Sequence, residues 1–141
     1  MTTITIPVGA QPIIKDLEDR PVVRVAGAAI AVMDPIYLKS SDSKYYTADS
    51  DPTDSETSVV VGIAVTKAGA ANDKIAYCFK QGQVIDFNSG GLTPGANFWL
   101  DGSTITDSYA DITSTHYVTK LGYANESGEF VLAIINQLEV K

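Results

Sequence analysis

Cys78 and His116 are the single cysteine and the single histidine in 141 residues. Together they would make a thiolate and imidazole pair, provided the fold brought them into contact and a third group oriented the ring. Cys78 lies between Tyr77 and Phe79 in an apolar run, where cysteine behaves as a small hydrophobe. His116 sits in a polar stretch and reads as exposed. The two are therefore read as unconnected, and no enzyme activity is expected. Asp49, Asp51, Asp54 and Glu56 offer hard oxygen donors suited to calcium, but the glycine and flanking helices of an EF-hand are missing, so the loop reads as solvated. Zinc needs several Cys or His ligands. No metal and no cofactor is expected. Trp99, Tyr37, Tyr45 and Tyr46 could stack on a sugar, yet all lie in or beside strand-like runs where aromatics are favoured, so core or interface packing is the preferred reading.

Charge narrows the partners. Ten Lys and Arg against 17 Asp and Glu give a formal net charge of -7, which repels a phosphate backbone, so no nucleic acid is expected. Residues 25–33, the longest nearly apolar stretch, are too short and too rich in Gly and Ala for a signal sequence or a span. No membrane partner is expected either. A single cysteine excludes an intrachain disulfide framework, leaving stability to packing or oligomerisation, and it fits synthesis in a reducing cytoplasm.

The elements that must position these residues announce themselves by repetition. Ile36-Tyr37-Leu38 is followed by Val61-Gly62-Ile63-Ala64, and Phe98-Trp99-Leu100 by Leu121-Gly122-Tyr123-Ala124. Leu38 to Gly62 spans 24 residues and Leu100 to Gly122 spans 22. An apolar run follows each copy, residues 75–79 and 130–135. Glycine inside a strand usually marks a bulge or a close backbone approach, so Gly62 and Gly122 are read as structural.

Residues 36–39 and 44–47 flank a serine-rich loop and predict a hairpin. Residues 59–65 read as a strand buried on both faces, while 28–33 is either a strand edge or a short helix. Further strands are expected at 21–25, 74–80, 83–87, 97–100, 118–124 and 130–138. No segment keeps a 3.6-residue period. The expected fold is mainly β, a barrel-like or sandwich-like body of two related modules with little helix. Residues 1–21 form an extended N-terminal arm, 22–88 a first module and 89–141 a second, with the two sharing one core. In the arm, Thr2, Thr3, Ile4, Thr5 and Ile6 are β-branched throughout, and Ile13 and Ile14 add a second apolar step. The arm reads as lying along another surface, the plain alternative being a frayed tail.

Met33-Asp34-Pro35-Ile36-Tyr37-Leu38, Lys44 to Asp49, Val60 to Val65 and Tyr77 to Val84 together resemble the head decoration proteins of lambda-like tailed phages. Gly91 to Leu100 with Leu121 to Ala124 resembles the wider group of phage capsid cement proteins. The resemblance covers roughly residues 22–138. It implies a structural protein of the virion: a homotrimer on the outer surface of an expanded head, at threefold and local threefold positions, clamping adjacent major capsid proteins. It also implies that the arm, around Thr2 to Ile14, pairs with strands of the capsid protein. The competing reading is a phage fibre or adhesin-like module presenting Trp99 and neighbouring tyrosines to glycans.

Overall fold

The hairpin expected around the serine-rich loop forms in register, with Ile36 facing Thr47 and Lys39 facing Lys44. It belongs to a computed structural model that describes residues 12–14, 21–51, 53–87 and 92–141. Among the described residues the chain forms two antiparallel sheets and one short 3-10 turn at Tyr109–Asp111. The body is mainly β, and the sheets stack as a sandwich without closing into a barrel.

In chain order the strands are β1 (Ile13–Ile14), β2 (Val22–Val25), β3 (Pro35–Lys39), β4 (Lys44–Thr47), β5 (Gly62–Ala64), β6 (Lys74–Cys78), β7 (Val84–Asp86), β8 (Asn97–Asp101), β9 (Thr104–Thr106), β10 (Tyr117–Ala124) and β11 (Phe130–Val140). The first sheet runs β2-β6-β5-β3-β4, and the second β7-β11-β10-β8-β9 with β1 added beside β7. Advancing every strand of the first order by five gives the second, so the chain is a tandem duplication of one five-stranded design. By sheet membership the second set starts at Val84, ahead of the boundary expected after residue 88.

Register follows the same rule. Ile36 pairs with Gly62, and Phe98 with Gly122. The repeated phrase is thus one tertiary contact made twice. Ala64 faces Tyr77 as Ala124 faces Phe130, and Leu38 faces Tyr45 as Leu100 faces Ile105. A Cβ on Gly62 would lie 2.4 Å from Tyr77 Cδ2 and 2.6 Å from the Cys78 carbonyl oxygen. One on Gly122 would lie 2.8 Å from Phe130 Cζ and 2.2 Å from the Val131 carbonyl oxygen. At both sites an aromatic ring occupies the space that a side chain would need, so bare backbone is required there.

Side chains alternate across a strand, which gives each sheet two faces. On one face of the first sheet Ile36, Tyr45, Ala64 and Tyr77 pack with Ala26, Ile30, Ala68 and Ile75. We call this the front. The counterparts on the second sheet, Phe98, Ile105, Ala124 and Phe130, pack instead against Tyr37, Ile63 and Cys78, which lie on the back of the first sheet. The two sheets therefore stack front to back and do not face each other as mirror partners. Gly62, Ile63 and Ala64 are all buried as a result, which accounts for the unbroken apolar run around them.

Two local expectations change. The strand read over 59–65 contracts to Gly62–Ala64, and the backbone of Val60 is held by the side-chain amide of Asn136, which donates to its carbonyl at 3.0 Å and accepts from its N–H at 2.9 Å. The 28–33 segment is neither strand nor helix. Ile30 makes an isolated bridge to Ala68, and residues 32–33 turn the chain into β3.

Candidate interaction surface

Thr2, Thr3, Ile4, Thr5 and Ile6 lie outside the described residues. The two arm residues within them, Ile13 and Ile14, pair with Asp86 and Ile85 at the edge of the second sheet. Ile14 packs against the main core while Ile13 is 49% exposed. Nine residues further along each strand, the same antiparallel register reappears on the other sheet, where Val22 faces Tyr77. Residues 13–14 and 22–25 thus track a single returning segment, 74–86, across the corner between the sheets. The arm enters the body as an edge strand.

The outer face of the second sheet mixes apolar side chains with polar ones, Asp86, Asn97, Lys120 and Thr106 among them. Phe130 and Leu132 point into the core, so Val131 points to the opposite face, where it is nevertheless buried, while Ile135 on the same strand is 51% exposed. Across β10, Tyr123 stands opposite Val131, and Lys120 stands between Ile135 and Trp99. Tyr123 is 40% exposed. Trp99 meets Tyr109 edge to face at 5.8 Å between ring centroids. Lys141 closes the border of this patch: its Nζ lies 5.1 Å from the Tyr109 ring centre and donates to the carbonyls of Tyr109, Ala110 and Ile112. Tyr37, Tyr45 and Tyr46, grouped with Trp99 in the sequence, are scattered elsewhere. Tyr37 and Tyr46 stack on each other at 5.8 Å and Tyr45 packs against Tyr77 at 5.2 Å, all three within the first sheet.

Cys78 is in no disulfide and is fully buried in the main core. His116 has another partner: its Nδ1 lies 2.9 Å from Ser50 Oγ. This pair is not marked by any spacing, since the two residues are 66 apart in the chain. A hydroxyl beside an imidazole makes two of the three members of a hydrolase triad. Here Ser50 is fully buried and its oxygen also accepts the Gly102 N–H at 2.8 Å. Its own N–H donates to the Gly102 carbonyl at 2.9 Å, and its carbonyl accepts from Tyr117 at 2.9 Å. Ser50 straps the acidic loop to the β8–β9 turn and to the start of β10.

In the acidic loop the carboxylates mostly bond their own backbone. Asp49 accepts from the Asp51 N–H at 3.0 Å, Asp51 from the Thr53 N–H at 2.9 Å and Asp54 from the Glu56 N–H at 3.0 Å. Glu56 accepts from the Ser40 hydroxyl at 2.6 Å and from its N–H at 3.0 Å, tying the loop to the hairpin turn. Such bonds favour the ionised carboxylate. The Thr53 hydroxyl holds Asp51 below the ordinary aspartate value, and the Ser40 hydroxyl does the same for Glu56. Asp34 is pushed the other way, upward, chiefly by burial. Burial, followed by the hydrogen bond to Tyr45, pushes the Tyr77 phenol up to about 12. Among the described residues, no three His, Cys, Asp or Glu side chains gather closely enough to hold a metal ion, and no helix is long and apolar enough to cross a membrane.

No family model, curated protein or solved structure matches this chain.

Proposed function

We propose that this chain is a capsid decoration protein: it seats on the outer surface of an expanded phage head as a homotrimer and clamps adjacent major capsid proteins at threefold and local threefold positions. The observation that carries the reading is where the arm joins the body. Ile13 and Ile14 form the outermost strand of the second sheet, with the β-branched residues Thr2 to Ile6 upstream of it beyond six intervening residues. An extended segment of that composition suits addition to an exposed sheet edge, where main-chain hydrogen bonds supply affinity. Several arms on one assembly then act as a multivalent clamp, so modest single contacts sum to lasting attachment.

The rest of the body fits a passive role. Two sheets stacked on one large core make a stiff platform, and an acidic protein on the outer surface of a shell never meets the packaged DNA. A ligand that binds the expanded shell better than its precursor stabilises the expanded state by that difference in affinity. A cryo-EM map of particles carrying the protein tests the proposal. Density for its two-sheet body above the threefold positions supports it, and placement at the tail or on fibres removes it.

A further inference from the structure

The tandem design leaves one place filled in one copy and open in the other. β7 and β2 are counterparts, since Ile85 faces Phe130 as Val22 faces Tyr77. Beyond β7 the second sheet gains a short antiparallel strand, with Ile13 against Asp86 and Ile14 against Ile85. The same place on the first sheet lies opposite Val23 and Val22, and among the described residues no strand fills it: β2 ends that sheet. Val23 is 55% exposed and Val25 39%. β4 reaches this edge only at its far end, where Ala26 bridges Tyr45 and the Gly27 N–H donates to the Tyr45 carbonyl at 2.8 Å.

Main-chain groups of successive residues turn to opposite sides of a strand. Ala26 donates to the Asp73 carbonyl and accepts from the Asn72 N–H, both at 2.8 Å, so the N–H groups of Val23 and Val25 point the other way, off the edge. The Val23 carbonyl points there too, and it accepts at 2.8 Å from Nη1 of Arg24, the next side chain in the sequence. Arg24 thus covers the carbonyl that an added strand would use, and a charged side chain on an edge also discourages indiscriminate pairing.

We propose that the open edge of β2 binds an extended segment of a different protein, which adds as a strand antiparallel to Val22–Val25 and places a carboxylate opposite Arg24. The place follows from the duplication, which seats a strand at the equivalent edge of the second sheet. The residue types follow from the neighbours. Side chains directly opposite each other share a face and interact, so β-branched apolar residues belong opposite Val22, Val23 and Val25, as Ile14 stands opposite Ile85. A main-chain N–H of the partner takes over the Val23 carbonyl, and the released guanidinium pairs with the carboxylate. Charge disfavours this chain as its own partner. Residues 1–11 hold no Asp or Glu, and two β2 strands joined with Val23 against Val25 would set Arg24 directly against Arg24. This contact needs neither a shell nor the arm, so it and the decoration role proposed above fail separately.

Titration of the isotope-labelled full chain with the capped peptide Thr-Val-Glu-Val-Ile-Thr, followed in amide NMR spectra, tests the proposal. The peptide's Val, Glu, Val and Ile fall opposite Val25, Arg24, Val23 and Val22 in that order. The expected result is a saturable shift centred on the Val23 and Val25 amides, slower hydrogen exchange at both, and about fivefold weaker binding of the peptide with Lys in place of Glu. Arg24→Glu, a change at an exposed side chain, should reverse that preference. Methylating the amide nitrogen of the peptide's second valine removes the donor to the Val23 carbonyl and should abolish binding, which separates strand pairing from charge attraction alone. No saturable shift at Val23 and Val25 with millimolar peptide overturns the proposal, as does a preference for Glu that survives Arg24→Glu or full binding of the methylated peptide. Shifts at these two amides that follow protein concentration without peptide would give the edge to a second copy of the chain and overturn it as well.

Discussion

Met33 and Gly95 occupy one position in two copies of the same turn. Met33 has φ 75° and Gly95 φ 80°. The Met33 N–H donates to the Ala64 carbonyl at 2.8 Å, and the Gly95 N–H to the Ala124 carbonyl at 2.9 Å. Glycine adopts this left-handed conformation freely, whereas a residue with a Cβ is strained by about 1–2 kcal/mol. Met33 holds it because its side chain is buried in the main core.

This relationship sets two opposite expectations. Met33→Gly should destabilise the fold by about 1–3 kcal/mol, since losing a buried methionine costs about 2–5 kcal/mol and only part returns as relieved backbone strain. Gly95→Ala should cost about 1 kcal/mol from φ alone, because a Cβ there meets nothing within 4 Å. Urea denaturation of the two variants checks both, and a more stable Met33→Gly protein would show that the side chain contributes nothing to the core.

Gly62→Ala and Gly122→Ala should each lower stability by about 2 kcal/mol or more, because the added methyl overlaps a carbonyl oxygen and an aromatic ring at once. Trimming the ring should not rescue Gly122→Ala, as the Val131 carbonyl at 2.2 Å is backbone and stays in place. Thermal melts of Gly122→Ala alone and combined with Phe130→Leu decide this, and a wild-type melting temperature in either glycine variant would remove the close-approach argument.

Ser50→Ala removes the acceptor of the Gly102 N–H and the partner of His116 Nδ1. Leaving a half-buried donor unmet costs at most about 1–3 kcal/mol, the figure for full burial. The loss should be local first, seen as faster amide exchange at Gly102 while β5 amides stay protected. Equal acceleration everywhere would mean that the strap is not a local device.

The acidic loop should loosen in acid. The folded values of Asp51 and Glu56 are lowered by their hydroxyl partners Thr53 and Ser40, and that of Asp42 chiefly by the Tyr46 hydroxyl. Their stabilisation is fully present above the unfolded carboxylate values and is lost as pH falls through the lowered folded ones. Asp34 has the opposite sign: its raised value means the fold disfavours the ionised form, so its contribution worsens as pH rises through the unfolded and then the folded value. Asp34→Asn keeps an oxygen to accept from the Ala31 N–H and the Thr47 hydroxyl, and should flatten that part of the pH profile. An unchanged profile in this variant would contradict the assignment to Asp34.

Much of the fold is legible in the residues. The phrase around Gly62 and Gly122 encodes a real register, because glycine is needed wherever Tyr77 or Phe130 lies across the backbone. The duplication itself reaches further back than the phrase, to β2 and β7, whose short apolar runs carry no glycine to mark them. The direction of stacking is not readable, because Ile36 and Tyr37 are both apolar and alternation alone cannot say which of the two faces the other sheet. Nor are the Ser50 and His116 contact and the Asn136 clamp on Val60, since polar pairs 66 and 76 residues apart leave no local pattern.

Whether the chain clamps an expanded shell through its arm is tested most directly by co-sedimentation. Expanded empty shells assembled from the major capsid protein encoded in the same genome are mixed with the full chain and with a chain lacking residues 1–11, which keeps β1 in place. The expected result is saturable binding of the full chain at threefold stoichiometry and loss of binding in the shortened, still folded chain. Equal binding of both chains, or none by the full chain, would contradict it.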